Sequence, residues 1–69
     1  MMTPKQARRH RDITQLEMAR KLDVNVDTYR RIEKNPQKAT IELAKKFCSI
    51  VDMKIDEIFF GDNSTKSRS

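Results

Sequence analysis

Apolar residues recur along this chain at three- and four-residue intervals, and most of the runs follow a residue able to cap a helix. Thr3, with Pro4 at the opening position and Gln6 three residues on, predicts a first helix to about Arg11 behind a capping box. Thr14 and Glu17 form a second box, with Ile13 and Met18 spaced as a hydrophobic staple. Leu16, Ala19 and Leu22 share one face of that helix and are expected in the core, leaving Arg20 and Lys21 to solvent. Asn25 caps the next helix, Val24 and Tyr29 are its staple, and Asp27 suits the positive end of its dipole. A fourth begins after Thr40, with Ile41, Ala44, Phe47, Cys48 and Val51 inward and Lys45 and Lys46 outward. A fifth begins near Met53 or Lys54, carries Asp56 and Glu57 in its first turn, and offers Ile55, Ile58 and Phe59 to the core, leaving Phe60 over. No sustained alternation of strand-forming residues competes, so the fold class is all-α.

The second and third helices are separated by about four residues, the spacing of a helix-turn-helix, which suggests sequence-specific DNA binding. With Tyr29 and Ile32 turned inward, Val26, Asp27, Arg30, Arg31 and Lys34 fall on the outer or flanking faces, and Thr28 can serve either. These residue types suit a major groove. A valine packs on a thymine methyl, a carboxylate accepts from cytosine, and an arginine fork bonds two acceptors on guanine, worth roughly 1–3 kcal/mol of discrimination. Asp27 serves equally as a plain dipole partner. Arg30 and Arg31 diverge by about 100 degrees, so one can read a base while the other holds a phosphate. Gln15 opens its helix where free N–H groups bind phosphate, and Thr14 is a cap first and a phosphate contact second. Arg9, Arg11 and Lys38 are either phosphate contacts or solvated charges.

Charge sharpens this picture. The chain of 69 residues carries +5, and residues 1–38 hold ten Lys or Arg against five Asp or Glu, whereas residues 39–69 hold five of each. The basic excess therefore accompanies the helix-turn-helix, as phosphate binding requires. A chain this short buries only roughly 60% of the surface its unfolded form exposes. The single Cys48 forms no internal disulfide, which suits a reducing cytoplasm and a packing role. No apolar run approaches a membrane span, and no hydrophobic signal region precedes the first charges, so a soluble, unexported protein is expected. One histidine, His10, and one cysteine make no zinc set, and neither a paired nucleophile and base nor a glycine-rich phosphate loop is present. No enzyme, cofactor or metal is expected. The stretch GDNSTKSRS from Gly61 has no apolar residue, which divides the chain into a domain over 1–60 and a flexible polar tail over 61–69, where Lys66 and Arg68 can touch DNA backbone.

The order of these pieces resembles the XRE-type helix-turn-helix domains of lambdoid phage repressors and Cro proteins. Ile13-Thr14-Gln15, Leu16-Glu17-Met18-Ala19 and Arg31-Ile32-Glu33 are similar to that family's LTQ, xxLA and RIE segments, and Ile55-Asp56-Glu57-Ile58-Phe59 to its closing LDELF. The resemblance implies a compact five-helix, lambda-repressor-like fold. It also implies a phosphate contact at Gln15, a base contact at Arg31, and a structural ion pair between Arg8 and Glu33. Where the family carries glycine, this chain has Asp12 and Asp23, which tolerate a left-handed backbone at some cost. Asn35 replaces a third glycine, and Pro36 pushes it toward extended geometry.

The function implied is a transcriptional regulator, a phage or prophage repressor or Cro-like protein, binding double-stranded DNA in the bacterial cytoplasm or nucleoid. One helix reads few base pairs, so a homodimer on a near-palindromic operator is expected, with Val51, Met53 and Phe60 as its contact candidates. Two rivals use the same residues: the antitoxin of a toxin-antitoxin pair, and a protein-interaction module whose basic face docks an acidic partner.

Overall fold

Each helix begins where a side chain satisfies its first backbone N–H groups. The computed structural model describes residues 1–61, and the rest of the expected tail lies outside them. Helix α1 spans Pro4–His10, α2 Gln15–Leu22, α3 Val26–Lys34 and α4 Ile41–Val51. Thr3 and Thr14 close reciprocal capping boxes with Gln6 and Glu17, Asn25 accepts from Asp27 N, and Thr40 accepts from Leu43 N. The caps read from the sequence are all occupied.

The helices end by a repeated device. Asp12, Asp23 and Asp52 adopt left-handed φ of 57°, 60° and 57°. In each case the next residue donates five residues back: Ile13 N to Arg8 O, Val24 N to Ala19 O and Met53 N to Cys48 O. This is a Schellman closure, and its apolar residue anchors the corner, since Ile13, Val24 and Met53 all pack against the core. The N-cap position follows at once: Thr14 and Asn25 cap with their side chains, whereas at Lys54 the backbone N–H donates to Glu57 Oε1 and the side chain makes no cap bond. Three-residue corners of left-handed Asp, apolar anchor and cap thus turn the chain three times.

The fifth helix does not form. Residues Ile55–Glu57 make a single 3-10 turn, and Ile58 is extended at φ −121° and ψ 132°. A parallel bridge pairs Met2 with Ile58, Met2 N donating to Glu57 O at 3.0 Å and Phe59 N to Met2 O at 2.7 Å. In extended backbone successive side chains alternate. Ile58 and Phe60 are therefore buried while Phe59 is 40% exposed, reversing the expectation for both phenylalanines, and Ile55 is exposed as well. Asn35, at φ −133°, is not left-handed and leads into a second 3-10 turn, Pro36–Lys38. Gly61 is buried at φ +86° with Gln37 so close that a Cβ would sit 2.7 Å from Gln37 Cβ, so glycine suits this position.

The core is a cluster around Phe47, whose ring stacks at 6.5 Å on Tyr29 and meets Phe60 edge-on at 5.8 Å. Met18, Ala19 and Leu22 bring α2 into it. Leu16 and Ile41, expected inside, are 49% and 54% exposed. Both sit in the first turn of their helix, where side chains lean toward the N-terminus and so past the packed elements. Val51 and Phe60 are fully or almost fully buried within the same molecule and Met53 packs on the core, so the expected contact set for a second copy is corrected: Val51 and Phe60 offer it no surface. Burial pushes the Cys48 thiol above its ordinary value, keeping it a packing residue. No helix among the described residues is long and apolar enough to cross a membrane.

Candidate nucleic-acid interface

The bend at Asp23 sets α3 against α2 and turns one face of α3 outward. Tyr29 and Ile32 are buried, and Asp27, Thr28, Arg30, Arg31 and Lys34 are exposed. Val26 is half-buried and packs against the core, so less of it is presented than of its neighbours. Lys38 is exposed on the 3-10 turn after α3, and Arg9 is exposed on α1. Arg20 and Lys21 are exposed at the end of α2.

Beneath this face lies a buried ionic centre. Arg8 Nε donates to Glu33 Oε2 at 2.6 Å, with side-chain exposures of 9% and 5%. Arg8 Nη1 also donates to Ile13 O at 2.7 Å, tying α1 to the corner before α2. Glu33 accepts further from Tyr29 Oη at 2.5 Å and from Gln15 Nε2 at 2.9 Å. Burial by itself pushes the Glu33 carboxyl up, but its three donors, Arg8 first, outweigh that and hold it below the ordinary carboxylate value. Burial opposes the charge on Arg8 too, and the bond to Glu33 reverses this, leaving the guanidinium above its ordinary value. Tyr29 is raised by burial and then by the adjacent carboxylate. No buried polar side-chain atom among the described residues lacks a partner.

The expected contact residues do not all share one site. Gln15, Asp27 and Arg30 come together: Arg30 Nε donates to Gln15 Oε1 at 3.2 Å and Arg30 Nη1 to Asp27 Oδ1 at 3.3 Å. Thr14 is engaged as a cap, its Oγ1 accepting from Glu17 N at 3.0 Å. Arg11 goes elsewhere. Its Nε donates to Val51 O at 2.8 Å, where it satisfies a carbonyl at the end of α4 and ties the end of α1 to that helix. The Asp27–Arg30 pair was visible as an i,i+3 spacing of opposite charges, and Tyr29–Glu33 as an i,i+4 spacing. The link from Gln15 to Arg30 spans fifteen residues and had no local signal.

Among the described residues no group of three His, Cys, Asp or Glu is placed to hold a metal ion. The outer face of α3 instead concentrates hydrogen-bond donors on a convex helix beside a basic surface, the form that enters a major groove. No curated protein and no solved structure matches the chain. A family profile described as helix-turn-helix matches residues 5–58, which takes in α1 from its second residue, α2 to α4 and both 3-10 turns. The chain belongs to the XRE-type helix-turn-helix family of DNA-binding regulators.

Proposed function

We propose that this protein is a sequence-specific transcriptional regulator of the phage or prophage repressor and Cro kind, acting in the bacterial cytoplasm or nucleoid. The observation that carries the proposal is the exposed face of α3, where Arg31 stands beside Thr28, Arg30 and Lys34 and makes no side-chain hydrogen bond or ion pair with any of the described residues. A free guanidinium on a groove-sized helix suits bidentate contact with guanine. Arg9, Lys34 and Lys38 are the proposed phosphate contacts, and Thr14 contributes from the start of α2.

One α3 covers only a few base pairs, so two copies about 34 Å apart would read a near-palindromic operator. Ile55 and Phe59, exposed apolar residues of the closing segment, replace Val51 and Phe60 as the proposed contact between copies. Selection from random duplexes tests the reading directly. A palindromic consensus is expected, bound far more tightly than mixed duplex, with affinity for mixed duplex falling steeply as salt rises. Equal affinity for every sequence would remove the regulator reading.

A further inference from the structure

Arg30 is held on two sides in the free protein, by Gln15 Oε1 and by Asp27 Oδ1. Gln15 is itself anchored through Nε2 to Glu33, which Arg8 and Tyr29 hold in turn. A continuous chain of side-chain hydrogen bonds therefore runs from the buried ion pair, through Gln15, to an arginine on the outer face of α3. Arg31, the adjacent residue, has no such support among the described residues.

We infer that Gln15 is a positioning residue for base recognition by Arg30, an inference that rests on the DNA-binding reading above. The chemistry dictates which way the amide points. Glu33 as a carboxylate only accepts and Arg30 only donates, so the Gln15 nitrogen must face inward and its oxygen outward. A flipped amide would set oxygen against oxygen and nitrogen against nitrogen. Arg30 retains three of its five N–H donors, both of those on Nη2 included, to meet a base edge. Fixing the fork in advance removes rotamer freedom that an unrestrained arginine surrenders on binding. The effect falls on discrimination among bases, because attraction to phosphate depends on the charge and not on where the fork points. A Gln15 that touched phosphate directly would act on all sequences alike.

The experiment compares wild type, Gln15→Ala, Arg30→Ala and the double variant, each first shown to be folded by its thermal transition. Gln15→Met, which keeps the bulk and removes both hydrogen bonds, stands in if the alanine variant unfolds. Selection from random duplexes is followed by titration of the selected site against its single-base variants and of mixed duplex against salt. Gln15→Ala and Arg30→Ala are expected to flatten preference at the same base position by about tenfold. The double variant should lose no more than Arg30→Ala alone, and Gln15→Ala should keep the wild-type salt slope while Arg30→Ala lowers it. The inference is overturned if Gln15→Ala weakens every duplex with preferences intact, if the two losses add, or if Arg30→Ala changes no base preference. A wild type that selects no sequence removes the DNA-binding reading itself, and the inference with it.

Discussion

Arg8 and Glu33, twenty-five residues apart, meet at 2.6 Å with almost all of both side chains out of solvent. Two ions taken out of water are costly to keep, yet removing one leaves the other buried and uncompensated, which is costlier. Glu33→Ala and Arg8→Ala are each expected to lower stability by about 3–5 kcal/mol, most of what a domain this size holds. Urea denaturation of the purified variants measures this, and a loss below about 1 kcal/mol would place the pair among ordinary surface bridges.

The same centre sets a pH dependence with a definite sign. Glu33 titrates below its ordinary value when folded, so between the two values the unfolded chain binds more protons. Its stabilising contribution is complete above about pH 4.3 and falls away as pH drops through the folded value. Tyr29 is raised, so its contribution is complete below about pH 10 and is lost as pH climbs beyond that. Glu33→Gln should flatten the acid limb of a stability profile and Tyr29→Phe the alkaline limb, each checked by thermal melts across pH.

Three aspartates occupy a backbone region that costs most L-residues roughly 1–2 kcal/mol. Glycine enters that region freely, at the expense of a looser unfolded chain. Asp12→Gly, Asp23→Gly and Asp52→Gly are each expected to stabilise by about 0.5–1 kcal/mol, a gain of several degrees in Tm for a domain of this length. Asp23→Val should move Tm the other way, since a branched side chain suits a left-handed corner least. Calorimetry on the four variants decides it.

Neighbouring phenylalanines should respond very differently. Phe60→Ala opens a cavity beside Phe47 and is expected to cost about 3–5 kcal/mol. Phe59→Ala, on the exposed side of the same extended segment, should cost on the order of 0.5 kcal/mol. Equal losses would mean that the closing segment is helical after all.

Much of the fold was legible because its signals are local. A cap and its partner lie three residues apart, a Schellman closure five, and a staple spans one turn, so Thr3, Thr14, Asn25 and Thr40 announced their helices without knowledge of any neighbour. Asp52 repeats the pattern of Asp12 and Asp23 before an apolar residue, and the same signal was present there unread. The closing segment misled because Ile55, Ile58 and Phe59 fit a helical period, whereas pairing with Met2 drew the backbone after the turn into extension and put Phe60 inside.

By itself the sequence determined four capped helices, a turn that swings α3 outward and a basic surplus on that half, because capping, periodicity and charge act over a few residues. Only the tertiary structure decided that Arg11 ties down α4, that Gln15 reaches Arg30, and which phenylalanine fills the core. Those outcomes depend on groups from different elements brought together in space, Gln15 with Arg30, Arg11 with the Val51 carbonyl and Met2 with Ile58, where packing and the satisfaction of polar groups, not local propensity, choose the partner.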